Sequence, residues 1–198
     1  MSSRDEILSS IKRQLPQSVD LPDHGGNWIE YEDPIDQFRE VLESVGGTLH
    51  VVSTVSEIPT LLGDLIDSEK VVVSCVTGLL EERFDFGAID DPHKLEDVDL
   101  SILPGQLAVA ENAAVWVDDA QVPFRVLFFL SQHLALVVPK SAVVSNLHQA
   151  YDLIDASKLP FGTFISGPSK TADIEQSLVK GAHGARTMTI FLVEELAP

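Results

Sequence analysis

The sequence GPSKTADIE at residues 167–175, followed by GAHG at residues 181–184, predicts more about the fold than any other stretch. Residues 161–166 before it and residues 187–193 after it are apolar in patterns typical of strands. After Ser169, Ile174 and Leu178 have the spacing of one face of a helix. A strand, a small-residue turn, a helix and a returning strand form one βαβ unit, whose crossover is almost always right-handed.

The turn in this unit is predicted to lie at the carboxyl end of its first strand and to open the helix. Open α/β sheets bind ligands outside the carboxyl ends of their strands, and a helix N-terminus favours an anion. We therefore predict that Gly167, Ser169, Lys170 and Thr171 bind a small anionic ligand. Two alternatives stay open, because serine and threonine also cap helices and a lysine beside a turn is often only solvent-exposed.

The two glycine-containing runs resemble the signature of the LUD-domain family, in its lactate utilisation protein C type. The resemblance is tight over residues 161–184 and looser upstream, through Ala110-Glu111 and residues 133–136. It implies a fold like that of the ribose-phosphate isomerases and CoA transferases. It also implies a role in bacterial growth on L-lactate, together with iron–sulfur proteins as partners.

The composition is that of one α/β domain with an acidic surface. The chain has 198 residues, 44% of them hydrophobic, which is enough for one full core. Its net charge of −18 would repel nucleic acid and anionic membranes, so we expect neither as a partner. Residues 1–15 carry frequent charges and no apolar centre, so we expect no secretory signal and a cytoplasmic location.

The chain has a single cysteine, Cys75, which lies in an apolar run and is predicted to be a buried strand residue. One cysteine cannot hold an iron–sulfur cluster, so we expect this chain alone to bind no cofactor. We expect no metal site either, since the eight acidic residues between 81 and 99 have no rigid spacing. That segment is predicted to be a solvated, loosely structured insert.

Two helices are predicted before the main domain. Ser3 and Glu6 have the spacing of a capping box at the start of the first, and residues 16–34 form a connector rich in proline and glycine. The second helix spans residues 34–45, with Phe38, Val41 and Leu42 facing inward. We therefore divide the chain into a helical appendage, residues 1–45, and an α/β domain, residues 46–198.

The domain is predicted to be a mostly parallel, twisted sheet with helices on both faces. The expected strands are residues 48–53, 70–76, 107–110, 114–117 and 134–138, and residues 122–131 fit either a helix or a strand. Thr54 is predicted to cap a helix that buries Leu61, Leu62 and Leu65. Ser141 is predicted to cap a long helix that buries Val144, Leu147 and Tyr151.

Two residues are candidates for catalysis. Glu111 follows a strand, and the family resemblance implies that a glutamate in such a loop can act as nucleophile or base. Many family members have Thr-Gly after this acid where the chain has Asn112-Ala113, and losing a glycine removes easy access to positive φ. His183 can act as an acid or base near neutral pH, or can merely shape its loop. A ten-residue helix would place it at the far edge of the sheet from Ser169.

Two further polar residues have structural explanations. Asp173 falls in the first turn of the predicted helix, where the dipole stabilises a carboxylate or where it could bond a ligand hydroxyl. His133 precedes a strand and is expected to be a hydrogen-bonded edge residue.

The sequence favours an accessory or ligand-binding component of a lactate-oxidising system, not itself catalytic. Two alternatives stay open. One is an independent enzyme acting on a small carboxylate, phosphate or acyl-CoA through Glu111 and the 167–171 turn, and the other is a regulatory sensor.

Overall fold

The structure, a computed structural model, describes residues 3–16, 25–67, 69–80, 84–155, 157, 159–171, 179–180 and 184–195, with backbone alone at 171, 179 and 180. The helices and strands in chain order are α1 Ser3–Gln14, α2 Pro34–Ser44, β1 Thr48–Thr54, α3 Ile58–Leu62, β2 Val72–Ser74, β3 Leu100–Pro104, β4 Leu107–Val109, β5 Ala114–Asp118, α4 Leu127–Leu130, β6 His133–Pro139, β7 Val143–Val144, α5 Leu147–Leu153, β8 Gly162–Ser166, β9 Lys170–Thr171, β10 Val179–Lys180 and β11 Thr187–Glu195.

Five strands form a parallel sheet in the order β1-β11-β6-β3-β2. The central strands β6 and β11 are buried on both faces and read as near-continuous apolar runs, as strands of covered parallel sheets do. The predicted α/β class with a mostly parallel sheet is confirmed. The sequence did not indicate β3, although it pairs with both β2 and β6.

A second sheet, in the order β7-β4-β5-β8, contradicts the predicted βαβ unit. In that prediction, residues 161–166 and 187–193 were neighbours in one parallel sheet. Instead β8 pairs antiparallel with β5, while β11 pairs with β1 and β6 in the other sheet. The pattern within a strand shows that it is half-buried, but long-range packing decides which strand it pairs with.

Three apolar clusters define the layers. The largest lies between the two sheets and joins β6 and β11 to β4, β5, α2 and α4 through residues such as Leu136, Val115 and Phe38. A second cluster lies on the other face of the parallel sheet, under α3. A third packs α5 on the outer face of the second sheet, through Trp116 and Ala150. The parallel sheet therefore has α3 on one face, and α2, α4 and the second sheet on the other.

The two predicted N-terminal helices are present and differ in burial. Phe38 and Leu42 of α2 are fully buried in the main core, as predicted, whereas α1 has no buried residue. Asp33 caps α2, because its carboxylate accepts hydrogen bonds from the N–H groups of Ile35 and Asp36. The division of the chain at residue 45 stays a prediction.

The helix predicted to begin at Ser141 is wrong. Val143 and Val144 pair with β4 as strand β7, and α5 begins only after Asn146, whose side chain accepts from the N–H of Gln149. The helix has seven residues, and Tyr151, predicted to be buried, is exposed. None of the helices in the described part of the chain has the length and apolar character needed to cross a bilayer.

Two other expectations are corrected. In the predicted solvated insert, Leu95 and Val98 are buried in the main core, and Asp91 opens a short 3₁₀ turn that holds Leu95 there. Two apolar residues are too few to form a periodic pattern, so the many charges around Leu95 and Val98 dominated the prediction from sequence. On α3, Leu62 is buried as expected but Leu61 is exposed, because Ile58 and Leu62, four residues apart, form the inward face of this short helix.

Candidate functional site

The turn at Gly167 is a tightly packed corner. Gly167 has φ +70°, and a Cβ at this position would lie 2.8 Å from Val45 Cγ2 and 3.3 Å from the Val45 carbonyl oxygen. Gly167 and Pro168 are buried, Ser169 is half-buried and Lys170 is exposed. Backbone conformation and the approach of Val45 thus both require glycine here. Any ligand at this turn would meet Ser169 and Lys170 first, and ligand binding by the turn stays a prediction.

Ser169 contacts the end of the second glycine-containing run. Its backbone N–H donates to the Ala185 carbonyl oxygen at 2.8 Å, and a Cβ on Gly184 would lie 3.1 Å from the Ser169 Cβ. The expectation that the Gly184 end of this loop lies at the far edge of the sheet from Ser169 is therefore wrong. His183 itself lies outside the described residues, and its catalytic role stays a prediction.

The segment after Ser169 begins as a strand. Lys170 and Thr171 form β9, which pairs antiparallel with Val179 and Lys180 of β10. The prediction that a helix opens at this turn is wrong, so the argument from a helix N-terminus no longer supports an anion site. Residues 172–178, including Asp173, lie outside the described residues. The hairpin explains how Ser169 and Gly184 come together, since it folds the chain back on itself.

The turn follows the carboxyl end of β8, as predicted, but β8 is not part of the parallel sheet, and the turn lies beside the amino ends of the parallel strands. Ala185, the partner of Ser169, lies two residues before β11, and Thr187 at the start of β11 pairs with His133 at the start of β6. We call this region the amino edge, comprising Ser169, Ala185, Arg186, His133 and Lys70. Arg186 anchors it further, because its backbone N–H donates to the Gln132 carbonyl oxygen at 2.8 Å.

His133 is a hydrogen-bonded edge residue. Its backbone N–H donates to the Asp99 carbonyl oxygen at 2.8 Å, and its Nδ1 and the Thr187 hydroxyl, 2.7 Å apart, share a hydrogen bond. Burial lowers the pKa of His133, and the positive charges of Lys70 and Arg186 lower it further, while Asp99 opposes them. Two cations, Lys70 and Arg186, and one carboxylate, Asp99, therefore lie close enough to His133 to affect its charge. The site residues predicted from the sequence included neither Lys70 nor Arg186.

Glu111 lies in the turn between β4 and β5. One carboxylate oxygen accepts a hydrogen bond from the N–H of Leu147 at 2.8 Å, and its own N–H donates to the Ser145 carbonyl oxygen. This contact joins the turn to the start of α5. Ala113 stands where many family members have glycine, and it adopts φ +53°. The loop therefore keeps a left-handed backbone conformation at this position although the residue is alanine.

The Glu111 turn lies next to the Gly167 turn. The Ser166 hydroxyl donates to the Asn112 carbonyl oxygen at 2.7 Å, and Ala114 pairs with Ser166 across the second sheet. The structure thus brings the predicted turn and the Glu111 loop together, although they are more than 50 residues apart in the chain.

Cys75 has the environment of a structural thiol. It is half-buried against the main core, and its backbone N–H donates to the Ile102 carbonyl oxygen. Burial raises its pKa to about 11, which leaves almost no reactive thiolate near neutral pH. Within the described residues, no three His, Cys, Asp or Glu side chains are grouped so that they could hold a metal ion.

A groove that the sequence did not indicate lies between the connector before α2 and helix α5. It has a volume of about 930 Å³, and we call it the connector groove. Its lining includes Gly25, Trp28, Glu30, His148, Tyr151 and Asp152. The rings of Trp28 and His148 stack with their centroids 3.6 Å apart. In the sequence, a tryptophan in the predicted connector, Trp28, was the signal that could have pointed to this surface.

Polar contacts fix the connector against the second sheet and α5. The buried Asn146 amide donates to the Ile29 carbonyl oxygen at 2.8 Å, and the Tyr31 N–H donates to the Ser145 hydroxyl at 3.1 Å. Gln149 adds a side-chain bond to Glu30 at 3.2 Å. These three hydrogen bonds hold residues 29–31 of the connector against residues 145–149.

Several proteins with a shared name are similar to this chain. Lactate utilization protein C of Macrococcus caseolyticus is 28% identical over 221 residues, covering 96% of this chain and 93% of that protein. Lactate utilization protein C 1 of Bacillus mycoides is 34% identical over 49% of this chain and 44% of its own length. Lactate utilization protein C of Anoxybacillus flavithermus is 29% identical, over 54% of this chain and 49% of its own length. The matched region thus spans about half the length of these last two relatives.

A solved structure shares the fold of this chain, and a family model identifies its family. The crystal structure of a DUF162 family protein from Deinococcus radiodurans superposes with a TM-score of 0.60 at 17% identity, over 81% of this chain and 96% of that one. The model of the LUD domain matches residues 89–193, which is more than half of the chain. That match runs from the insert before β3 to the end of the buried part of β11, so it includes the Glu111 turn and every residue of the amino edge except Lys70. The chain belongs to the LUD domain family.

Proposed function

We propose that this protein serves bacterial L-lactate utilisation as an accessory or ligand-binding component of a lactate-oxidising system. The observation that carries the proposal is the similarity to proteins named lactate utilization protein C, one of which matches nearly the whole chain. Its site of action would be the cytoplasm.

The amino edge supports binding of a small carboxylate. Ser169 offers a hydroxyl beside Ala185, and Arg186 and Lys70 contribute positive charge that reaches His133. Arginine binds carboxylates through paired N–H groups, and lysine adds a point charge. Lys170 and Thr171 follow Ser169 directly, so a carboxylate held at this edge would also lie near the predicted turn.

The redox chemistry belongs to partners in this proposal. Oxidising lactate to pyruvate removes two electrons, and a chain with one cysteine lacks the thiolates that a cluster needs. The iron–sulfur proteins implied by the family resemblance would carry those electrons. This chain would bind lactate or pyruvate, or would hold the assembly together.

Ligand binding is tested with Arg186→Gln. Calorimetry with L-lactate should show binding to the unaltered protein, weakened about tenfold or more by the substitution, since hydrogen bonds to charged groups contribute ~1.5–3 kcal/mol. The matched control is Lys94→Gln, which removes one positive charge from an exposed pair with Asp90 far along the chain. Equal affinity in both variants would place the ligand elsewhere.

The division of labour is tested by activity. The purified chain should not oxidise L-lactate with an artificial acceptor, while the complex with its iron–sulfur partners should do so. A strain lacking this protein should fail to grow on L-lactate and recover with the intact chain. Robust turnover by the isolated protein would contradict the accessory role.

The second candidate is an independent enzyme acting on a small carboxylate, phosphate or acyl-CoA. The bond between Ser166 and Asn112 favours it, because it places the Glu111 loop beside the Gly167 turn. In that case Glu111→Gln, which keeps an acceptor for the Leu147 N–H, should abolish turnover without unfolding the protein. Unchanged turnover in this variant would exclude Glu111.

A further inference from the structure

Helix α1 has an apolar stripe that its own chain leaves exposed. Ile7 and Ile11 lie one turn apart on one face of α1, with Leu8 at its border, and Leu15 continues the four-residue spacing just past the end of the helix. Ile7, Ile11 and Leu15 are 57%, 52% and 64% exposed, respectively. Single exposed apolar residues are common, but a contiguous stripe on an otherwise polar helix indicates a surface that binds something.

The charge within the stripe is positive. At about 100° per residue, Arg4 lies within the stripe, Lys12 and Asp5 lie together beside it, and Ser9 and Arg13 lie on the opposite face. In a chain with a net charge of −18, a helix face that combines apolar and basic residues is unlike the rest of the surface. Its complement is an acidic groove with apolar walls.

The connector groove has this character. Its walls include Trp28 and Tyr151, both exposed, and its charged residues are Glu30 and Asp152. Among the described residues that line it, none is lysine or arginine. Aromatic faces beside carboxylates bind guanidinium and ammonium groups as well as aliphatic side chains.

We propose that α1 docks in the connector groove of a second copy of this chain, and that the two copies exchange their helices reciprocally. The stripe is exposed although the chain's own groove is present, which favours a second copy as the occupant. Reciprocal exchange covers both stripes and both grooves around one two-fold axis, so the assembly closes as a dimer.

Docking within one chain is the competing arrangement, and chain length permits it. Eight residues separate Pro16 from Gly25 at the rim of the groove, and the nine Cα–Cα steps from one to the other span at most about 30 Å when extended. The experiment must therefore separate exchange between two chains from docking within one.

The first arm measures the mass of the full-length protein by sedimentation over a wide concentration range. We expect a dimer whose dissociation constant is raised about tenfold or more by Ile11→Asp, because the substitution places a charge in a desolvated contact. The matched control is Ser9→Asp, which adds the same charge on the opposite face of α1 and should leave the constant unchanged. A monomer at all concentrations, or a dimer that responds equally to both variants, would overturn the proposal.

The second arm uses two charge-reversed chains. One has Arg4→Glu with Lys12→Glu on the helix, and the other has Glu30→Lys with Asp152→Lys in the groove. Each alone should be monomeric, because like charges face each other at both docking sites. Mixed in equal amounts they should form a heterodimer, since each helix then meets a groove of opposite charge. Failure of the mixture to dimerise, when the unaltered chain does, would show that the helix does not dock in this groove.

Discussion

The two N-terminal helices α1 and α2 have nearly equal lengths and each has an apolar face, yet only α2, the more apolar of the two, packs in the core. Phe38 and Leu42 of α2 are fully buried, while α1 has no buried residue. Amphipathicity thus identifies which face of a helix will be covered. It does not identify what will cover it.

The connections of the two helices account for the difference. Helix α2 ends at Ser44 and β1 begins at Thr48, so a short turn holds its apolar face against the sheet. Gly47 permits this approach, since a Cβ there would lie 2.5 Å from a Leu42 methyl carbon. Residues 15–33 separate α1 from α2, so α1 is not held close to the sheet by a short turn as α2 is.

The largest expected effect tests this contrast directly. Phe38→Ala should lower the free energy of unfolding by ~3–5 kcal/mol, because it leaves a cavity in the main core. Ile11→Ala should change it by less than ~0.5 kcal/mol in dilute protein, where α1 is exposed. Urea denaturation of both variants measures this. A similar loss in the two would show that α1 packs on its own chain.

The next effect concerns the residue that locks the end of α2. Gly167→Ala places a methyl group against Val45, the residue after α2, and also requires positive φ. Gly78→Ala is the matched control, because Gly78 has φ +75° but a Cβ there would meet nothing within 4 Å. The control should cost roughly 1–2 kcal/mol, and Gly167→Ala about 1–3 kcal/mol more. Equal losses would show that Val45 moves away without cost.

A smaller effect is expected at the start of α2. Asp33→Ala removes the acceptor for the N–H groups of Ile35 and Asp36 and should cost ~1 kcal/mol in thermal or urea unfolding. Asp33→Asn keeps a capping oxygen and should retain most of the stability. If the Asp33→Ala variant were as stable as the Asp33→Asn variant, the core contacts of Phe38 would hold the helix without the cap.

The smallest effect extends the contrast to two histidines. The pKa of His133 is lowered chiefly by burial. As pH falls through the ordinary histidine range near 6.5, the unfolded state therefore binds more protons than the folded state, and the free energy of unfolding decreases. Exposed His93 has a raised pKa because it bonds Asp91, so any contribution has the opposite sign. Unfolding measured between about pH 7 and 5 should therefore decline less steeply in His133→Gln than in the unaltered protein. His93→Gln should not reduce that decline.

Much of the fold could be predicted from local patterns. Continuous apolar runs indicated β6 and β11, the alternation around Glu111 indicated β4 and β5, and the 54–57 spacing gave a capping box that the structure contains. The candidate site was less predictable. The bonds of Ser169 to Ala185 and of Ser166 to Asn112 join segments whose contact no local pattern shows.

The sequence by itself determined the chemical character of each segment: which faces are apolar, where glycine permits a left-handed turn, and that one cysteine cannot hold a cluster. It also carried the family signature, because that signature is a matter of residue types in order. Only the tertiary structure decided that β8 and β11 belong to different sheets, that the signature turn lies at the amino edge beside Arg186, and that α1 keeps its apolar stripe exposed. The physical reason is that periodicity reports burial along a segment. The choice of partner is made by contacts between distant segments, through side-chain packing and backbone hydrogen bonds that no single segment contains.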